Sequence, residues 1–323
     1  MERARGATYD HRMNTAVAAP AAARPGLLLP ALLACYLVWG STYLAIRYAL
    51  VSFPPFFQMG TRFLAAGGIL MAWVLWRARR AGTGLPTARQ WRNALLVGTL
   101  MLGGGMGLTA SAEQHVGSGL VAAFIAVVPM LVCGWGLLFA LRPGRLELAG
   151  MVVGLAGVLM LVRGASFGAS PIGLACIAGA TLAWSLGSVL STTRWPLAPG
   201  PAGFASEMLC GGAVLMALSL ATGEQFVAPP QAIALAAWAY LVVFGSLVAF
   251  SAYLYLLAHA SPALATSYAL VNPVIALALG VLVAGEALSG GEWLACGVIL
   301  CGVLLIFRGK QAPAHRSKSN ISQ

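Results

Sequence analysis

Apolar stretches of about 20 residues recur along the whole chain, separated by short polar connections. That length of helix crosses a hydrocarbon layer about 30 Å thick. The stretches are apolar on every face, which predicts helices rather than the alternating strands of a membrane β-barrel. The pattern predicts ten spans, at 27–48, 55–76, 92–113, 118–140, 146–163, 171–192, 202–222, 233–257, 263–284 and 291–307.

The composition agrees with an all-α polytopic membrane protein. Hydrophobic residues make up 60% of the 323 residues and charged residues only 8%, which is far from the composition of a soluble domain. The net charge of +11 would suit nucleic acid, but the basic residues lie mostly between and beyond the spans, with little aromatic interleaving. We therefore interpret the charge as a topology signal and expect the lipid bilayer, not nucleic acid, as the surrounding partner.

The basic residues predict the orientation of the chain. If the N-terminus is cytoplasmic, all but Arg47, Arg62 and Arg163 of the 19 Lys and Arg residues lie on the cytoplasmic side. This asymmetry follows the positive-inside rule and predicts that both termini are cytoplasmic. Residues 1–26 then form a polar cytoplasmic tail and residues 310–323 a basic one.

The two halves of the chain resemble each other at an offset of 144–145 residues. The final span of each half agrees best: "LELAGMVVGLAGVLMLVRG" and "GEWLACGVILCGVLLIFRG" share eight of nineteen residues. Each half has five predicted spans, an odd number, so the second half enters the membrane inverted. We therefore predict two inverted five-helix repeats, 27–164 and 165–309. Secondary transporters are often built in this way, with the substrate site near the midplane between the halves.

Four segments carry a resemblance to a known family: "WGSTYLAIR" at 39–47, "RFLAAG" at 62–67, "GSGLVA" at 117–122 and "SPALATSYALVNPVIALALGVLVAGEALS" at 261–289. They resemble the EamA family of the drug/metabolite transporter superfamily, and within it the YedA-like branch. The resemblance covers roughly 27–309. It implies a bacterial inner-membrane carrier, not an enzyme, that exports amino acids, related metabolites or foreign compounds. One departure is "LRPGRLE", which stands where the family often has a Gly-Glu pair after its fourth span.

Three charged residues inside or beside the spans are candidates for gating or proton coupling. Arg62 lies in span 55–76, where a charge costs about 2.5–3.5 kcal/mol on insertion scales. Its guanidinium could reach the outer interface along its long stem, or it could bind a carboxylate of the substrate or of Glu113 bidentately. Glu207 is the candidate for proton coupling, unless it reaches water or Arg194 near the inner end of its span.

Aromatic and hydroxyl-bearing residues predict a substrate cavity near the midplane. Trp39 and Trp184 occupy equivalent positions in the two halves, and small polar residues follow each of them. The alternative for these positions is ordinary close packing of helices. The predicted cavity residues are Trp39, Ser41, Thr42, Arg62, Trp184, Ser188, Tyr268 and Asn272.

Two equivalent prolines predict bends in the helices around this cavity. Pro129 and Pro273 fall near the middle of spans 118–140 and 263–284. A proline inside a helix removes a backbone hydrogen bond and kinks the helix. We predict that both act as hinges, although prolines are also tolerated in membrane helices for packing alone.

The sequence thus predicts a secondary transporter, by alternating access, of small metabolites that carry a carboxylate, amino acids among them. No P-loop motif occurs, so an ion or solute gradient would supply the energy. A multidrug or cationic-compound exporter, an uncoupled facilitator and a lipid flippase remain alternatives.

All six cysteines fall within predicted spans and form no C-x-x-C pair, so we expect no cofactor and no metal. Two Gly-x-x-x-Gly pairs are compatible with packing of helices between two copies of the chain, so a homodimer is possible.

Overall fold

The computed structural model describes residues 25–81, 85–116, 121, 124–162, 170–225, 228–284 and 289–311. The regular structure of these residues is helical, with no strand among them. The helices in chain order are α1 (Leu28–Ala49), α2 (Pro55–Ala81), α3 (Ala88–Ala112), α4 (Val128–Leu137), α5 (Arg145–Val162), α6 (Pro171–Thr192), α7 (Pro201–Ala221), α8 (Ala232–His259), α9 (Pro262–Thr266), α10 (Tyr268–Ala284) and α11 (Gly290–Gln311).

Seven helices within the described residues are long and apolar enough to cross a membrane: α1, α2, α3, α6, α7, α8 and α11. Many of their large apolar side chains are exposed, including Leu220 at 79% and Trp293 at 66%, as expected for surfaces that face lipid rather than water. The all-helical membrane class is therefore confirmed. The predicted polar tails fall almost wholly outside the described residues.

Three helices begin at side-chain caps that the sequence encodes locally. At α3, the Thr87 hydroxyl accepts a bond from the Gln90 backbone N–H, and the Gln90 side chain accepts one from Thr87 N–H. The α6 and α9 starts each combine a capping serine, Ser170 or Ser261, with a proline in the first turn. A cap satisfies a backbone donor that the helix itself cannot pair, and a proline lacks that donor altogether.

The backbone widens into π-helical turns within α1, α3 and α8. The wide segments are Cys35–Trp39, Thr99–Gly107 and Leu241–Phe250. The last two overlap when the halves are superposed at the 144-residue offset, and neither was predicted from the sequence. Wide turns of this kind are uncommon in helices and frequently occur at functional sites.

Close packing of helices depends on glycine at the interface of α5 and α11. A Cβ added at Gly302 would lie 2.5 Å from the backbone N of Gly154 and 2.6 Å from the backbone O of Gly150. The two backbones are therefore in direct contact, which is typical of membrane helices with small residues at their interface. The α2–α7 pair is likewise in extensive contact.

A carboxylate joins the two halves of the chain at one face. Glu224, in the connection after α7, accepts hydrogen bonds from the backbone N–H groups of Phe56 and Phe57, at 2.9 and 2.8 Å. These donors belong to the first turn of α2, where a negative charge is favourable because of the helix dipole. The contact fixes the start of α2 against the second half.

The two predicted hinge prolines differ in their surroundings. Pro273 lies inside α10, as expected. Pro129 instead lies in the first turn of α4, directly after a turn at 126–127. Its missing N–H removes no bond there, because donors in a first turn have no partner within the helix. The helix is interrupted directly before Pro129, where the sequence predicts a bend, and the hinge role of both prolines stays a prediction.

Candidate functional site

A cavity with about 500 Å³ of empty space lies among α1, α3, α4, α6 and α10. Both halves of the chain contribute to its wall. It lies towards the face where α1 and α3 end and α6 begins, because its lining residues fall in the later parts of α1 and α3. The lining residues are Trp39, Thr42, Tyr43, Ile46, Gly105, Met106, Thr109, Ile125, Val128, Ala180, Thr181, Trp184 and Tyr268.

Four aromatic rings form a cluster at the base of this cavity: Trp39, Trp184, Tyr253 and Tyr268. The rings of Trp39 and Tyr268 are 4.6 Å apart and nearly perpendicular, and those of Trp184 and Tyr253 stack at 5.3 Å. Edge-to-face and stacked pairs of this kind stabilise a packed aromatic layer. The aromatic cluster therefore closes the cavity on one side.

The hydroxyl groups of the cavity wall come from threonine and tyrosine. The Thr42 hydroxyl donates to the Trp39 carbonyl at 2.8 Å, and the Thr109 hydroxyl donates to the Gly105 carbonyl at 2.7 Å. The Tyr43 side chain is held in place by Asn272, a residue outside the cavity lining, whose side-chain amide donates a hydrogen bond of 3.1 Å to the Tyr43 hydroxyl. Each hydroxyl oxygen keeps the capacity to accept a hydrogen bond from a solute.

The predicted cavity residues are divided between the wall and the structure behind it. Trp39, Thr42, Trp184 and Tyr268 line the cavity. Ser41, Ser188 and Asn272 are not among the lining residues. Their side chains hydrogen-bond to Tyr240, Tyr253 and Tyr43 respectively.

Arg62 lies one layer behind the cavity and is fully buried. Its Nε donates to the Ser246 hydroxyl at 2.7 Å, and its guanidinium carbon lies 4.8 Å from the centre of the Phe63 ring. Its Nη2 has no hydrogen-bond partner. A Cβ added at Gly245 would lie 2.9 Å from this nitrogen and 3.3 Å from a Thr42 methyl carbon. Gly245 and the cavity-lining Thr42 thus lie close to the unpaired nitrogen.

The wide turn of α8 connects Arg62 to the aromatic cluster. Gly245 and Ser246 both belong to this turn. The Gly245 carbonyl accepts a bond of 3.2 Å from the Trp39 indole N–H, and the neighbouring Ser246 hydroxyl accepts from Arg62. Arg62 therefore helps to position the wide turn that holds Trp39.

Two glutamates near the site have no hydrogen-bond partner for either carboxylate oxygen. Glu113, directly after α3, lies within electrostatic range of Arg47 and Tyr43, whereas the contacts of Arg62 are Ser246, Met59 and Phe63. Glu207, in α7, is fully buried and lies within electrostatic range of Tyr253. Both carboxyl groups are available to bind a proton or a cation.

Several residues of the site were not predicted from the sequence: Tyr43, Thr109, Thr181 and Tyr253. One signal for Tyr43 was present, since it lies one helical turn after Trp39 and so shares its face. The run "GGG" at 103–105 also marks the place where the α3 backbone approaches Trp184. Among the residues that the structure describes, no group of three or more His, Cys, Asp or Glu could hold a metal.

Comparison with known proteins supplies the family context of this geometry. The sequence profile of the EamA-like transporter family matches the chain twice, at residues 26–163 and 171–308. The uncharacterized inner membrane transporter YedA of Escherichia coli (strain K12) is 44% identical over 284 residues, which cover 88% of this chain and 91% of that protein.

More distant relatives extend over a similar share of the chain. Protein PecM of Dickeya dadantii is 27% identical over 277 residues, 84% of this chain and 86% of that protein. Protein PagO of Salmonella typhimurium is 25% identical over 292 residues, 89% of this chain and 95% of that protein. A solved crystal structure at 22% identity has a TM-score of 0.73 and covers 90% of this chain and 99% of that one. This chain therefore has the same fold as that structure.

Proposed function

Since the chain belongs to the EamA-like transporter family, we propose that it is a secondary transporter that exports small metabolites by alternating access. Family membership makes the chain a transporter and not an enzyme. The inner membrane is its proposed location, by analogy with the relative from E. coli. Solutes with a carboxylate, amino acids above all, are the proposed substrates.

The proposed architecture is ten spans in two inverted repeats with both termini in the cytoplasm. The seven long helices would be joined by α4, α5 and the interrupted pair α9–α10. The packing supports this symmetry: α1 packs on α8 and α10, and α6 packs on α3 and α4. In the repeat, α1 corresponds to α6, α8 to α3 and α10 to α4. The first set of contacts therefore has the second set as its equivalent. Homodimerisation stays a prediction.

The observation that carries the proposal is the cavity between the two halves. Residues of both halves line it, as expected for the substrate site of an inverted-repeat transporter. Its lining is mostly apolar and aromatic, with three threonine hydroxyls and no charged residue. A small solute with an apolar body fits this lining, which favours amino acids with apolar side chains among the proposed substrates.

Arg62 and the two glutamates without hydrogen-bond partners are the charged groups to which we assign substrate binding and proton transfer. We assign Arg62 to the substrate carboxylate, which would reach Nη2 when the wall of Gly245 and Thr42 moves. Glu207 and Glu113 would carry protons, and Pro129 and Pro273 would serve as hinges. The buried carboxylate oxygens of these two glutamates have no partners, which also suits a cationic substrate, so efflux of cationic compounds is the second candidate. An uncoupled facilitator is the third.

Transport by purified protein in liposomes tests the proposal. We expect labelled leucine to enter these liposomes faster than empty ones, and an imposed pH gradient to change the rate. Movement of the cationic dye ethidium without movement of leucine would favour the second candidate. Leucine that equilibrates at the same rate with and without the gradient would indicate a facilitator. If the protein moved neither probe, the proposed substrate class would be wrong.

A further inference from the structure

A second cavity lies nearer the opposite face of the helix bundle than the main one does. It has about 390 Å³ of empty space and lies where α4 ends and where α5 and α9 begin. With a cytoplasmic N-terminus, this end faces the cytoplasm. The residues that matter for its chemistry are Val132, Gly136, Arg142, Glu147, Ser261 and Ala263.

Glu147 brings a buried carboxylate with spare bonding capacity to this cavity. Only 6% of the residue is exposed. Its Oε2 accepts a bond of 2.8 Å from the Gly144 N–H, but its Oε1 has no partner. An unpaired buried carboxylate oxygen is costly, and a hydrogen-bonded cation would remove that cost. The Glu147 carboxylate therefore favours a protonated amine in the cavity.

Arg142 brings the opposite charge to the same cavity. It precedes α5, lines the cavity and is exposed at its mouth. It is not hydrogen-bonded to the free Oε1 of Glu147. A guanidinium suits a carboxylate, so the two charged groups together suit a molecule with an amine and a carboxylate. The α-amino acid zwitterion has this arrangement of charges.

The second cavity is aligned with the main cavity along two shared helical segments. On α4, Val128 lines the main cavity and Val132, one turn later, lines the second, an axial distance of about 6 Å at 1.5 Å per residue. On the other side, Ala263 of α9 lines the second cavity and Tyr268 of α10 the main one. Leu264, fully buried, lies between them in the chain. A solute in the second cavity is thus separated from the main cavity by about one layer of side chains.

We propose that this second cavity is the cytoplasmic loading site for zwitterionic amino acids. The free oxygen of Glu147 receives the ammonium group, and Arg142 receives the carboxylate. This inference rests on the proposed function and deepens it, since a loading site on the cytoplasmic side is what an exporter requires. The layer of Val132, Leu264 and Tyr268 then separates the loaded solute from the main cavity.

The test is Glu147→Gln, because the glutamine oxygen can still accept the bond from Gly144 N–H while the charge is lost. The matched control is Glu292→Gln. Glu292 is the counterpart of Glu147 in the second repeat and likewise accepts a bond from the backbone N–H three residues earlier, on Ser289. Purified proteins are compared for binding of labelled leucine, with unlabelled 4-methylpentanoate, which lacks the amine, as competitor.

We expect Glu147→Gln to weaken leucine binding about tenfold or more, as expected for loss of a charge-assisted bond. Competition by 4-methylpentanoate should not change, and Glu292→Gln should bind both compounds normally. Unchanged leucine binding, or an equal loss for both compounds, would overturn the inference. Normal leucine binding by the unchanged protein without transport in liposomes would overturn only the proposed function. No leucine binding by the unchanged protein would overturn both.

Discussion

Gly302→Leu is expected to prevent stable packing of α11 on α5. The added Cβ would lie within about 2.6 Å of backbone atoms of Gly150 and Gly154, and backbone atoms cannot rotate away as a flexible side chain could. Overpacking of a core typically costs about 1–3 kcal/mol, and occasionally more. We expect the upper end of that range, because the whole helix must be displaced. The measurement is thermal unfolding in detergent, together with the amount of monodisperse protein on size exclusion.

Gly297→Leu is the matched control, since it makes the same change in the same helix. Gly297 is exposed, and a Cβ there would meet no atom within 4 Å. A leucine on this face would contact only lipid or detergent, so the control should unfold at a temperature close to that of the unchanged protein. Equal behaviour of the two variants would show that the α5–α11 contact is looser than described.

Arg62→Met is expected to lower the transport rate without lowering the stability of the folded protein. The guanidinium is fully buried with one nitrogen unpaired, and burial of a charge costs several kcal/mol even after relaxation. An apolar side chain of similar length removes this cost, so the folded protein should be at least as stable as before. Transport should fall about tenfold or more, equivalent to about 1.4 kcal/mol, because the substrate carboxylate loses its proposed partner.

Arg77→Met is the control, because Arg77 lies on the same helix and is exposed. It should leave both stability and transport nearly unchanged. Arg62→Lys adds a second comparison, since it keeps the charge but loses the planar fork, and should retain part of the activity. Normal transport by Arg62→Met at normal expression would exclude any role for this arginine in transport.

The helices were predictable from the sequence because the bilayer demands long apolar segments with internally paired backbone groups. Starts such as Ser170 and Ser261 also depend on neighbouring residues alone. A bend near Pro129 was also predictable, because a proline lacks the N–H that a continuous helix needs. The exact place of the break, at 126–127, was not, because it depends on how α4 meets the surrounding helices.

The site was most predictable where the two halves repeat each other. Trp39 and Trp184 could be found because they occupy equivalent positions, and both line the cavity. Tyr253 was not found, because its ring meets Trp39, Trp184 and Tyr268 only through the packing of α8 against α1, α6 and α10. The surroundings of Arg62 were equally inaccessible, because Ser246 lies in a wide turn that the sequence did not predict.

The main cavity is tested most directly by Thr181→Trp in the liposome assay, with Leu182→Trp as control. Thr181 lines the cavity, whereas the next residue, Leu182, is 46% exposed on the outer surface of α6. An indole at position 181 would fill most of the space that a solute needs. We expect Thr181→Trp to lose leucine transport and Leu182→Trp to keep it, with both variants folded. Normal leucine transport by Thr181→Trp would mean that the solute crosses the protein elsewhere and that the main cavity is not its path.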